Sequence, residues 1–140
     1  MTKRATQGAA ILGAILLIAG SLLTWISVDV GFASFSSAGT DNIEGKLTAV
    51  AGVVLLLAGL VVTRDDAVGL ISRYVGLIAA VFGGIVLMLE YLDVRERIAE
   101  TDPATATATV GMGVWVTAVG AIVGIGAIVV FLVGWIRAEA

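Results

Sequence analysis

Four stretches of this chain run without a charged side chain for long enough to cross a lipid bilayer, and that pattern constrains the fold more than any other feature. The first extends from Ala5 to Val28 and contains AAILGAILLIAGSLLTWISV. The second is Leu47–Thr63, held between Lys46 and Arg64, and the third is Tyr74–Leu89, held between Arg73 and Glu90. The fourth lies between Gly111 and Ile136. A spanning helix needs roughly 17–25 predominantly apolar residues. The second and third stretches sit near the short limit, but Arg64, Arg73 and Glu90 can lengthen them by reaching to the headgroups. The runs are continuously apolar and do not alternate, which is unlike the strands of a membrane barrel. A soluble domain of this size carries about 25% charged residues; here the figure is 14%, with 59% apolar residues and a mean hydropathy of +1.09. A secretory signal peptide is the competing reading of the first stretch, because Lys3 and Arg4 precede it. The run is longer than the roughly 7–15 residues of a signal core, and three more spans follow, so a retained helix is favoured. The expectation is an all-α membrane protein, a single four-transmembrane-helix bundle over residues 1–140. Its helices are expected near 7–27, 47–63, 72–99 and 111–136, with outer loops at 28–46 and 100–110.

Orientation follows from Lys and Arg, which favour the cytoplasmic side. Lys3, Arg4, Arg64, Arg73 and Arg137 fall on the side of the termini, and Lys46, Arg95 and Arg97 on the other. Both termini are therefore expected in the cytoplasm, in a cell membrane or in a virion or vesicle membrane. Asp29, Asp41, Glu44, Glu90, Asp93, Glu96, Glu100 and Asp102 give the outer side an acidic character. Trp25, Tyr91 and Trp115 are expected as anchors at the outer interface, and Tyr74 and Trp135 at the inner one, since these rings are apolar with polar tips.

The outer loops have patterns of their own. In Val28–Phe35, VDVGFASF, larger apolar residues alternate with small or polar ones, which reads as a strand. Ser36–Lys46 is rich in turn residues. Glu90–Glu100 has good helix formers and an Asp93/Arg97 pair four apart, so the third helix should project beyond the bilayer and stop before Asp102-Pro103. In Ala104–Val110 three threonines alternate; this segment either pairs with Val28–Phe35 in a small outer β-sheet or forms a flexible linker.

Small residues recur at helix-packing spacing: Gly76, Ala80 and Gly84 in the third span, Gly120 and Gly124 in the fourth. Such stripes let helix backbones approach; contact within the bundle is the plainer reading, and contact with a second copy or partner the functional one. Chemistry is sparsely provided for. The chain has no Cys and no His, which removes disulfides and the usual metal, haem and nucleophile–base sets. No cofactor or metal site is expected, nor an enzyme activity, and a net charge of −3 argues against a nucleic-acid partner. The spans carry no ionisable residue at their centres, whereas transport sites usually do. Glu90, at the outer end of the third span, reads either as a proton- or cation-binding carboxylate or, more simply, as an interfacial residue in water. Asp65-Asp66 reads as a solvated turn.

The first span ending in SLLTW (Ser21–Trp25), the segment GTDNIEGKLT (Gly39–Thr48) and GMGVW (Gly111–Trp115) together resemble a group of small four-helix membrane proteins from archaea and high-GC bacteria. That group commonly has Pro before the first-span Trp, where this chain has Thr24. The resemblance implies a four-helix fold and neither substrate nor catalytic residues. The arrangement is also similar to that of claudins, in architecture only, since the claudin disulfide and loop motif are absent. The functional expectation is a non-enzymatic structural or interaction protein of the membrane: a scaffold, an accessory subunit, or a viral or vesicle membrane component. Its partners would be the lipid bilayer and other membrane proteins or further copies of itself. The alternative is a small oligomeric channel or transporter for cations, with Ser21, Thr24, Thr48 and Thr117 near a pore mouth.

Overall fold

The computed structural model describes residues 2–140. Its helices are α1 (Lys3–Leu22), α2 (Ile43–Val61), α3 (Ala67–Glu100) and α4 (Met112–Glu139). All four are long and apolar enough to cross a bilayer. Strands β1 (Thr24–Asp29) and β2 (Ser34–Ala38) follow α1, a 3-10 turn at Gly39–Asp41 leads into α2, and β3 (Thr107–Val110) precedes α4. The helices form a ring in chain order, and α4 closes on α1. One end of the bundle carries both termini and the α2–α3 loop; the other carries an antiparallel sheet of order β2-β1-β3.

The interior is built from small residues and the exterior from large ones. Ala10, Ala14, Ala80 and Ala121 are buried with Leu17, Leu55 and Ile128, whereas Leu12, Leu57, Ile78, Ile85 and Ile122 face outward. The closest approach is between α1 and α4. A Cβ added to Gly13 would lie 2.6 Å from the Gly124 backbone nitrogen, one on Gly20 2.6 Å from that of Thr117, and one on Gly120 2.7 Å from that of Leu17. These are backbone atoms, so the neighbour cannot rotate away. Between α2 and α3 the contact is one methyl looser: Cβ atoms on Gly76 and Gly83 would meet the Ala58 and Ala51 methyls at 3.2 and 3.3 Å. Buried hydroxyls do not cross between helices. Ser21 donates to the Ile18 carbonyl, Thr48 to Glu44 and Thr117 to Gly113, each within its own helix, a local solution that leaves no donor seeking a partner.

Helix boundaries differ from the hydropathy limits for reasons of capping and of strand propensity. α1 starts at Lys3 because Thr2 caps it, its Oγ1 accepting from Ala5 N at 3.2 Å, and it ends at Leu22. Residues 24–27, expected as the end of the first helix, are rich in β-branched and aromatic residues and enter the sheet as the first part of β1 instead. α3 starts at Ala67, capped by Asp66, whose Oδ1 accepts from Gly69 N at 3.0 Å. Its 34 residues make it about 50 Å long, well beyond the roughly 30 Å of a hydrocarbon core. It stops at Glu100, ahead of Asp102-Pro103, and carries the Asp93–Arg97 ion pair at 2.7 Å.

The outer strand expected at Val28–Phe35 is instead two strands and a turn. Gly31 has φ +88, and its N–H donates to Asp29 Oδ1 at 2.8 Å while Val30 N donates to the Ala33 carbonyl at 3.0 Å. A positive φ suits glycine and breaks the alternation that suggested one strand. Of the threonine-rich segment, Thr107–Val110 pairs with Ile26–Asp29 of β1, and the preceding residues wrap around Asp102, which accepts from Ala104 N through its carboxylate.

Because Gly13 faces backbone, replacing it with Ala should destabilise the bundle by about 1–3 kcal/mol. Gly126→Ala, where a Cβ meets nothing within 4 Å, should be neutral. Unfolding by SDS titration checks this; equal midpoints for the two variants would rule out backbone contact in the α1–α4 seam.

Candidate functional site at the sheet end of the bundle

Two features meet where the helices enter the sheet: a lateral apolar crevice and a buried carboxylate. The crevice, of about 360 Å³, lies between α3 and α4. Gly84 of α3 and Ala118 and Ala121 of α4 are the small residues of its lining, with Leu87, Met88, Val114 and Ile122 among the larger ones. Tyr91 and Trp115 lie at its sheet-side end with ring centroids 5.9 Å apart and planes at 61°, an edge-to-face pair. On α4 the lining runs from Val114 to Ile125, three turns or about 16 Å along the axis.

Behind the crevice, Trp25 joins sheet to bundle. Expected as an exposed interface anchor, it is fully buried instead. It sits on β1, and its indole N–H donates to the Gly20 carbonyl at 2.8 Å, a second bond to a group that otherwise only shares the Leu23 N–H, at 3.2 Å, with the Ala19 carbonyl where α1 ends. Glycines bracket the ring: a Cβ on Gly39 would come within 2.6 Å of its nitrogen, and one on Gly113 within 2.6 Å of Cδ1. Leu87 and Val114 complete the cluster, with Tyr91 and Val110 packed against it. The other proposed anchors lie nearer the surface. Trp115 is 55% and Tyr74 49% exposed, and Tyr91 and Trp135 are half-buried. Arg95 stacks over the Tyr91 ring at 5.9 Å.

Glu90 is not an interfacial residue in water: it is 4% exposed. The first turn of α2 covers it, because that helix begins at Ile43 and not at 47. Asn42, the N-cap of α2, makes no capping bond with its side chain; its Nδ2 donates to Glu90 Oε1 at 3.3 Å. A carboxylate at this position faces the positive end of the α2 dipole.

The opposite end of α2 is treated in the complementary way. Arg73 of α3 is buried, its Nε donating to the Val62 carbonyl at 3.2 Å and its Nη2 to the Arg64 carbonyl at 3.1 Å. A cation thus meets the negative end of the same helix. Sequence reading placed Arg73 at the rim of a loop and missed this role. The available signal was position: Gly69, Ser72, Gly76, Ala80 and Gly83 define the small, inward face of α3, and Arg73 lies on it. The neighbouring aspartates are exposed but employed. The Lys3 ammonium, hydrogen-bonded to Asp65 at 2.9 Å, holds that carboxyl below its ordinary range, and Arg64 does the same for Asp66.

The packing residues divide between two settings. Gly120 and Gly124 are buried in the α1–α4 seam, and Gly76 and Ala80 face the interior. Gly84 is half-buried and lines the crevice, with the Ala121 methyl 3.7 Å from where its Cβ would lie. The α1 side of the seam, Gly13 and Gly20, was not singled out from the sequence; their seven-residue spacing matches that of Gly113 and Gly120 on α4. Ser21, Thr48 and Thr117 are fully buried and do not present hydroxyls to a pore mouth. Among the described residues no group of three or more acidic side chains is placed to hold a metal ion. Comparison with family models, with curated proteins and with solved structures finds no match to this chain.

The burial of Glu90 is open to a direct check, since the chain has no native cysteine. In the otherwise intact protein, Glu90→Cys should resist a membrane-impermeant maleimide, while Glu96→Cys, on the exposed part of α3, should label quickly. Equal labelling rates would remove α2 as a cover for position 90.

Proposed function

We propose that this chain is a multi-pass integral membrane protein, with both termini in the cytoplasm, that acts without enzymatic chemistry by associating with other membrane proteins as a scaffold or accessory subunit. Membrane residence is supported by the inversion of side-chain size: Ala and Gly inside, Leu, Ile and Val on every helix outside. In water that arrangement would expose several times the apolar patch a soluble monomer tolerates; among acyl chains it costs nothing, and close backbone contact supplies the cohesion.

The observation that carries the associative role is the crevice between α3 and α4. Its long axis follows the helices, small residues Gly84, Ala118 and Ala121 let a neighbour approach, and the polar side-chain groups in its lining are confined to Tyr91 and Trp115 at the sheet-side end. That combination suits an apolar membrane-spanning helix of a second protein, because helix contacts in lipid rest on dispersion and close fit. The sheet and the projecting end of α3 would add an acidic, ordered surface beside the docked helix. The likeness of the SLLTW, GTDNIEGKLT and GMGVW segments to small four-helix proteins of archaea and high-GC bacteria is in keeping with this reading and adds no activity to it.

A photoreactive residue at Ile122, on the crevice, should crosslink to a discrete protein in native membranes, whereas one at Ile15, exposed on α1, should not. Lipid adducts alone at both positions would end the associative reading.

The buried Glu90 gives the second reading, an oligomeric cation channel, one specific support: a carboxylate held beside Asn42 close to an acidic surface. Under that reading Glu90→Gln should lower cation conductance in reconstituted bilayers by roughly tenfold or more, the effect of losing one strong charge interaction of about 1.4 kcal/mol. Absence of conductance in the unaltered protein would dismiss the channel.

A further inference from the structure

At the terminal end a second cavity, of about 260 Å³, opens between the first turn of α1, the α2–α3 loop and the last turns of α4. Lys3, Asp65, Arg73 and Trp135 are among its polar lining, and Phe131 and Gly134 form an apolar wall. The Arg73 side chain is 5% exposed. Its Nε and Nη2 are spent on the Val62 and Arg64 carbonyls, Nη2 also stands 3.8 Å from Asp65 Oδ1, and its guanidinium carbon stands 6.0 Å from the centroid of the Phe131 ring. A guanidinium carries five N–H donors, and both N–H groups of Nη1 are left without a partner among the described residues.

Charge and donor inventory specify what the cavity can hold. Lys3 and Arg73 place two cations on it against one carboxylate, Asp65, which both of Lys3's hydrogen bonds already engage at 2.9 and 3.0 Å. Trp135 also lines the cavity. Lys3 and Asp65 are 63% and 75% exposed, so that pair sits at the mouth and can part. Arg73 is fixed in the interior by the end of α2 and cannot leave. A buried, immobile guanidinium whose Nη1 has no partner among the described residues, beside a mobile ammonium, is a site for an oxyanion. The apolar wall of Phe131 and Gly134 lies next to it, along α4 toward the middle of the bundle.

The geometry points to a binding site for the phosphate of an anionic phospholipid in the leaflet on the side of the termini. Arg73 Nη1 and the Lys3 ammonium donate to phosphate oxygens, and the Phe131–Gly134 wall receives the glycerol and first methylenes of the lipid. A free phosphate ion would satisfy the donors and leave the apolar wall unused. The inference rests on the bundle residing in a bilayer, as proposed above. If the protein were found in the aqueous phase of detergent-free lysates, that residence would fail; the experiment below tests the lipid site in a protein already shown to be integral.

The purified full-length chain is exchanged into micelles containing equal amounts of phosphatidylglycerol and phosphatidylcholine and examined by native mass spectrometry. One phosphatidylglycerol should be retained with roughly thirtyfold preference, the scale set by two basic residues at the headgroup. Arg73→Lys keeps the charge but removes Nη1, and should abolish the preference in protein whose circular dichroism is unchanged. Should that variant unfold, Lys3→Gln, at an exposed position, should reduce the preference several-fold. Equal retention of the two lipids overturns the proposal, as does a preference unaltered in Lys3→Gln. Inorganic phosphate alone is titrated in parallel. A thermal shift with phosphate that phosphatidylglycerol does not displace would assign the site to a free anion and overturn the lipid.

Discussion

The contact on which the rest of the molecule depends is the glycine seam between α1 and α4. Gly13 and Gly20 on one helix, with Gly113, Gly120 and Gly124 on the other, bring the two backbones into close approach. Since β1 follows α1 directly and β3 directly precedes α4, closing the seam places these strands side by side. Their pairing begins where the helices stop: Gly111 N donates to the Trp25 carbonyl at 2.8 Å, next to the Ile26↔Val110 pair. Trp25 then fills the space beneath the sheet, and its indole N–H bonds the Gly20 carbonyl near the end of α1. Seam, sheet and buried tryptophan form one structure, and a side chain larger than hydrogen in the seam disturbs all three.

The other side of the ring is organised by charge. α3 carries one buried acid and one buried base, Glu90 and Arg73, about 26 Å apart along the helix at 1.5 Å per residue. α2, with 19 residues, nearly matches that span, so its N-terminus meets the carboxylate side and its C-terminal carbonyls meet the guanidinium. Each charge complements the dipole end beside it. Two ionisable residues that would be costly in an apolar bundle therefore fix the register of α2 against α3. The same arrangement leaves each with capacity to spare: Glu90 near an acidic surface, Arg73 on a cavity with an Nη1 that has no partner among the described residues.

Where neither glycine contact nor charge holds the helices, the packing opens. Along the sheet-side half of the α3–α4 boundary the residues are Leu87, Met88, Tyr91 and Trp115, too large for backbone approach, and the result is a lateral crevice. The bundle is tight on three sides and open on the fourth, and this asymmetry is what the proposed associative role rests on.

The number of long apolar helices, the halt before Pro103, the pairing of Asp93 with Arg97 and the Gly120/Gly124 packing stripe could all be read from the sequence, because hydropathy, proline sterics and helical spacing act over a few residues. The end of α1 could not, since Thr24–Asp29 is equally apolar as helix or strand, and pairing with β2 and β3 decides between them. Nor could the hairpin within Val28–Phe35, which depends on a positive φ at Gly31. The burial of Trp25, Glu90 and Arg73 was likewise invisible: each lies at the edge of an apolar run, where sequence alone predicts contact with headgroups and water. Whether such a residue meets solvent or protein depends on which helix end lies beside it, and only the packing of α2 against α3 and of α1 against α4 decides that.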